Sequence, residues 1–247
     1  MKGNLGGGRS SLLAGAAWLA LAAGCTDAGG TDGARGGRAE FENSDESYAS
    51  GAALAAVEVP ADAPVVAFLG DSIAAGYQLS AGEAFPAVVQ RELAQDGRPF
   101  KLVNAGVSGD TSAGGLRRVD WVLRQKPDVL VIELGGNDGL RGQAPAALED
   151  NLRGIVERAR AAGAQVLLLG LQLPPSLGPA YVRDFEAVYP RLAEELDLAF
   201  VPHFMQDVGG VSELNLADGL HPTAEGHRRI AARVAPALGS LIDRVAQ

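Results

Sequence analysis

The chain contains one cysteine, Cys25, so no disulfide can close within it. Histidine is scarce too, and His203, His221 and His227 stand at no spacing that would gather metal ligands. No metal site is therefore expected, and the chain calls for no cofactor. Positive charge is in the minority, with 21 Lys and Arg against 30 Asp and Glu and a net charge of −9. Loss of residues 1–24, which carry Lys2 and Arg9 and no acid, would take it to −11. Such a balance argues against nucleic acid, or an anionic bilayer surface, as the natural partner. The sequence also has no apolar run of the about 20 residues that a membrane-spanning helix needs. Hydrophobic residues nevertheless make up 47% of the chain, ample for the core of one domain.

What is present begins with a targeting pattern. Lys2 and Arg9 precede an apolar run at residues 12–23, which leads through Ala22, Ala23 and Gly24 to Cys25. Charge, a short apolar run and small residues in that order read as an export signal. The stretch LAAGC resembles the lipobox of bacterial lipoproteins, which implies that Cys25 receives lipid and becomes the new N-terminus. Ala22 stands where a lipobox usually has a larger aliphatic, and simple cleavage with a free Cys25 is the alternative. Residues 26–62 are mostly Gly, Ala, Ser and acid without periodicity, the composition of a disordered tether. A flexible segment of that length reaches about 30 Å. The expected organisation is a signal at 1–25, a tether at 26–62 and one folded domain at 63–247.

Within that domain short β-rich runs recur: VVAFL at 65–69, KLVN at 101–104, DVLVIEL at 128–134, QVLLLG at 165–170 and LAFVP at 198–202. Helical spacing separates them. Phe85, Val88, Val89 and Leu93 share a face, as do Leu116, Val119 and Leu123, and Leu148, Leu152, Ile155, Val156 and Ala159. Phe185, Val188, Tyr189, Leu192 and Leu196 form another such face, and a last helix carries Ile230, Val234, Leu238, Leu241 and Ile242, with Pro236 expected to bend it. Alternating strands and helices predict an α/β fold of three layers, α/β/α, around a mostly parallel five-stranded sheet. In such sheets ligands bind beyond the carboxyl ends of the strands. The residues that follow strands are therefore the ones to weigh.

Ser72 follows the first strand in GDS, Gly109 the second in SGDT, and Asn137 the third in GGND, while DGLHP at 218–222 precedes the last helix. Singly, each has a plain structural explanation: Asp and Ser cap helices, Asp-Gly makes turns, and Pro222 keeps His221 out of a helix interior. Together they supply an acyl-transfer site. A serine hydroxyl needs a base, the imidazole needs a carboxylate to fix its tautomer, and the oxyanion needs preorganised donors. Asp218 and His221 stand three positions apart, close enough to meet in one turn. Gly109 lets a backbone N–H approach a ligand, Asn137 brings an amide, and Ser72 at a helix start adds its own N–H.

GDS, SGDT, GGND and DGLHP in this order resemble the four sequence blocks of the SGNH hydrolases, also called the GDSL esterase/lipase family. The likeness is closest to its branch of acyl-CoA thioesterase I, lysophospholipase and arylesterase. That branch's GDS-x-x-AGY, SGDTSAGG and ELGGNDGLRG match residues 70–77, 108–115 and 133–142. The resemblance implies the flavodoxin-like SGNH fold. It implies Ser72 as nucleophile, His221 as base and Asp218 as its orienting acid, with Ser72, Gly109 and Asn137 forming the oxyanion hole. It implies an esterase or thioesterase acting on acyl esters, acyl-CoA or lysophospholipids in the periplasm or cell envelope.

Other readings compete. An α/β-hydrolase nucleophile elbow needs G-x-S-x-G, and Ala74 occupies the second glycine. Carbohydrate O-deacetylation is the alternative inside the family, and a non-catalytic surface binding module is the alternative outside it. Asp71, Asp110 and Asp138 are expected to support their turns by local hydrogen bonds. His227 is expected to be solvated near the start of the last helix. The Pro- and Gly-rich loop at 172–181 lies where it would wall an acyl pocket.

Overall fold

A computed structural model describes residues 57–247. The export signal, Cys25 and most of the expected tether lie outside the described residues. Five strands form one parallel sheet: β1 (Val65–Gly70), β2 (Lys101–Gly106), β3 (Val129–Glu133), β4 (Gln165–Leu169) and β5 (Ala199–Val201), in the order β2-β1-β3-β4-β5. The central strands read as unbroken apolar runs because helices cover both their faces. Val66 to Leu69 and Val129 to Ile132 are all fully buried.

Right-handed crossovers decide which helix goes where. The chain steps from β1 to β2 through α1 (Ser72–Ala75) and α2 (Phe85–Gln95), then turns back across β1 through α3 (Ser112–Leu123) to β3. The two directions place α2 and α3 on opposite faces. The short α4 (Gly136–Leu140) and α5 (Pro145–Ala161) lead on to β4, and α5 packs against α3. Beyond β4 lie α6 (Pro179–Glu186) and α7 (Val188–Glu195), and after β5 the long α8 (Ala224–Val245) returns to pack on α2. The expected three layers result.

One detail differs from the periodicity. The apolar face from Phe185 to Leu196 is carried by two helices separated at Ala187. Pro190 explains the break, since its ring opposes the carbonyl of Glu186 and it donates no N–H. In α8, by contrast, the helix runs through Pro236 without interruption.

The register positions the site. Gly70 pairs with both Gly106 and Glu133, so β1, β2 and β3 end level at one edge of the sheet. Because the order reverses beside β1, the loops after β1 and β3 diverge and leave a crevice between them. GDS, SGDT and GGND all emerge there.

Candidate active site

Asp71, not Ser72, caps the helix after β1: its Oδ1 accepts the Ile73 N–H at 3.0 Å. Ser72 is the first helical residue, and its hydroxyl is free to face elsewhere. It meets the ring of His221, with Ser72 Oγ 2.8 Å from His221 Nε2. His221 Nδ1 lies 2.7 Å from Asp218 Oδ2. The other carboxylate oxygen accepts the backbone N–H groups of Leu220 at 2.9 Å and His221 at 3.0 Å. Those N–H bonds, His221 first, and then the imidazole itself hold the Asp218 carboxyl down to about 2. Asp218 is therefore an anion throughout the neutral range, oriented by its own turn.

Gly109 adopts a left-handed φ of 81°, which its neighbours could adopt only with strain. Among the described residues, no protein acceptor takes the N–H of Ser72 or of Gly109. Asn137 sits in the first turn of α4, where Nδ2 donates to Asp71 Oδ2 at 3.2 Å. The carboxylate at Asp71 and the cation of Arg141, 3.5 Å from Asn137 Oδ1, set the direction of the amide. One N–H of Asn137 is thus used by Asp71, and the second remains for a ligand. Gly135 makes the turn into α4 with φ of 123°, and a Cβ there would come 2.0 Å from the Tyr189 hydroxyl.

All five residues expected to form the site therefore lie along one edge of the sheet. An imidazole bonded to a fixed carboxylate can take the proton of the serine hydroxyl as that hydroxyl attacks, and the unpaired N–H groups can receive an oxyanion. Sequence reasoning missed the support beneath them. Glu133 is buried at the end of β3, where Oε2 accepts the N–H groups of Asp71 at 3.1 Å and Ala74 at 3.2 Å. Burial, and then the neighbouring Asp71, push its carboxyl well above the ordinary range. Burial likewise raises Asp71 to about 6. An acid closing an otherwise apolar strand, DVLVIE, is the signal that marked Glu133. Tyr77, the last residue of the AGY stretch, places its ring 4.3 Å from that of His221.

Two expectations need correction. His227 is not solvated: it is 1% exposed, Nδ1 accepts the Phe85 N–H at 3.0 Å, and its ring stacks on Phe85. It lies in phase with Ile230, Val234 and Leu238 on the buried face of α8. Asp138 does not bond locally, but accepts Ser112 Oγ at 2.5 Å and Ser112 N at 2.8 Å from α3. Asp110 adds to its local bond with Thr111 an ion pair to Arg118 at 2.6 Å. As for the loop at 172–181, Leu173 packs where a Cβ on Gly139 would be, and the Tyr181 hydroxyl donates to Gln143 O at 2.8 Å. The loop thus abuts α4.

Burial of His227 makes a prediction about pH. Desolvation pushes its ring down to about 4 from 6.5. Between those values the unfolded chain takes up a proton that the folded chain refuses, so this contribution to stability falls as pH falls from 6.5 to 4. The loss is of order 3 kcal/mol at its limit. Asp71, raised in the fold, changes in the opposite sense over the same window, so the comparison must be a difference. His227→Gln should melt below wild type at pH 7.5 and recover relative to it at pH 4.5. A gap in Tm that stays constant with pH would contradict the buried neutral ring.

Residues 68–229 match the GDSL-like Lipase/Acylhydrolase family. The chain is 46% identical over 191 residues to a protein named Esterase TesA from Pseudomonas aeruginosa, covering 77% of this chain and 95% of that protein. It is 40% identical over 184 residues to the Escherichia coli K12 protein named Thioesterase 1/protease 1/lysophospholipase L1, covering 74% and 87%. The crystal structure of TesA superposes with a TM-score of 0.69 at 47% identity, covering 72% of this chain and 99% of that one. The chain belongs to the GDSL-like lipase/acylhydrolase family.

Proposed function

We propose that Ser72, His221 and Asp218 carry out the ester hydrolysis of this enzyme through an acyl-serine intermediate. The observation that supports this most is the unbroken chain from Asp218 through His221 to Ser72, at 2.7 and 2.8 Å. Ser72 Oγ attacks the carbonyl carbon as its proton passes to His221 Nε2, and the N–H groups of Ser72, Gly109 and Asn137 receive the oxyanion. The intermediate then expels the alcohol or thiol, which takes the proton from His221. Water attacks the acyl-Ser72, giving its proton to His221 and releasing the carboxylic acid, and the proton returns to Ser72.

An acyl ester or thioester is the substrate class we favour over an acetylated sugar. Six large hydrophobic side chains are exposed among the described residues, and four of them, Tyr77, Val107, Leu140 and Leu220, follow closely on the elements that carry Ser72, precede Gly109, follow Asn137 and adjoin His221. Such an apolar surround suits acyl chains better than polyols. Comparing p-nitrophenyl esters of short and long acids, acyl-CoAs and acetylated sugars tests the choice. Acyl esters or thioesters should have the higher kcat/KM, and faster turnover of acetylated sugars would overturn it.

Asn137 gives a second test. In a purely structural role, Asn137→Ala would cost about 1 kcal/mol of stability and leave kcat alone. As an oxyanion donor, its loss should lower kcat about 10²–10³-fold with little change in KM. A folded variant with kcat within about threefold of wild type would remove Asn137 from the site.

We place the enzyme in the cell envelope, exported by residues 1–25 and held by lipid on Cys25. More than one acyl chain gives stable attachment, at about 0.8 kcal/mol per buried CH₂. Cys25→Ser should move activity from the lipid-anchored membrane form in a bacterial host to the soluble or uncleaved form, whereas wild-type activity already in the soluble fraction would contradict the anchor.

A further inference from the structure

The oxyanion donors come from two separate loops, Gly109 after β2 and Asn137 on α4 after β3. Their spacing must be held to within about half an ångström to be useful. Gly109 makes this harder, because the residue that allows a close approach is also the one most free to rotate. One side chain spans both loops. Arg141 caps the C-terminus of α4, one turn beyond Asn137, and its Nη2 donates to Gly109 O at 3.1 Å and lies 3.5 Å from Asn137 Oδ1.

We infer that Arg141 is a positioning residue of the oxyanion hole, a guanidinium brace that fixes Gly109 relative to Asn137 and keeps a positive charge beside the developing oxyanion. This rests on the hydrolase reading above and adds a member to that site. Three features carry it. The bond to Gly109 O fixes the peptide plane that follows the free N–H, so the loop cannot swing about its glycine. The approach to Asn137 Oδ1 draws electron density from the amide, which makes its Nδ2–H groups stronger donors toward both Asp71 and an oxyanion. Arg141 is also exposed, and exposed charges bonded to the surface contribute little to stability, so folding does not account for its placement. Beneath it the same two loops are tied by Asp138 and Ser112, whose hydroxyl also accepts Asn151 Nδ2 at 2.9 Å. That buried tie keeps the loops folded when Arg141 is removed, which allows the brace to be tested alone.

The test uses the full-length enzyme with Arg141→Gln and Arg141→Lys, a p-nitrophenyl ester, melting temperature, and the rate of inactivation by a fluorophosphonate, whose tetrahedral oxygen occupies the oxyanion position. Arg141→Gln should lower kcat about tenfold, less than the 10²–10³-fold expected for a direct donor. KM should stay within about twofold, since a ground-state carbonyl draws less on the donors. Phosphonylation should slow in parallel, and Tm should change by less than about 2 °C. Arg141→Lys should recover part of kcat, because it keeps the charge but cannot span two acceptors as a planar fork does. Three results would overturn the brace alone: kcat for Arg141→Gln within twofold of wild type, a loss confined to KM, or a loss matched by a large fall in Tm. Wild type that is not phosphonylated at Ser72 would overturn the hydrolase assignment itself, and the brace with it.

Discussion

Ser72→Ala should fold as wild type does and lose about 10⁴-fold or more of its kcat. The expectation has a structural and a chemical half. Ser72 is 9% exposed, so alanine fits its volume, and the helix after β1 is capped by Asp71 and keeps its Ile73 bond without the hydroxyl. The bond lost is that to His221 at 2.8 Å, a partly exposed contact of about 1 kcal/mol or less. The Tm should therefore move by a few degrees at most. Chemically nothing replaces the hydroxyl at the end of the Asp218–His221 chain, and what remains is the slow reaction of water beside an intact oxyanion hole. A variant that kept more than about a tenth of wild-type activity would contradict the assignment of the nucleophile, and a variant that failed to fold would contradict the account of Asp71 as the cap.

Asp218→Asn should be nearly as damaging, about 10⁴-fold in kcat, for a reason visible in the turn. Asp218 Oδ1 accepts two backbone N–H groups, from Leu220 and His221, and only an oxygen can keep both. The new amide must therefore place its oxygen there and turn its NH₂ toward His221 Nδ1, where Asp218 Oδ2 now lies. A donor at that place forces Nδ1 to be the acceptor and puts the ring proton on Nε2. The nitrogen that faces Ser72 then has no lone pair for the hydroxyl proton. The turn keeps its bonds, so Tm should fall only modestly, and the loss should appear in kcat with KM nearly unchanged. A fall of less than about tenfold in kcat would mean that Asp218 does not set the tautomer.

Much of this was legible along the chain because the fold makes it so. β1 and β3 are covered on both faces, so their apolar runs are continuous, and the residues after them are polar because they stand at the open edge. Ser72, Gly109 and Asn137 each follow a strand, and Asp218 and His221 meet within one turn, so their separation in sequence mirrors their grouping in space. The parts that were not legible depend on partners far along the chain. His227 finds the Phe85 N–H, 142 positions away, and Ser112 finds Asp138 across two helices. A polar residue in phase with an apolar face, as His227 is, marks such a partner without naming it. Glu133 was hidden similarly, since the N–H groups it accepts belong to the loop it supports. The break at Ala187 was readable from Pro190, but the apolar face continues across it and masks the change of helix.

If Ser72 is the nucleophile of an ester hydrolase, it should be the residue that a covalent serine-hydrolase probe captures. Intact-mass measurement after treatment of the folded protein with a fluorophosphonate, followed by peptide mapping, tests it most directly. One adduct is expected, on Ser72, formed at a rate that collapses in Asp218→Asn. An adduct on another residue, or none on folded and active enzyme, would contradict it.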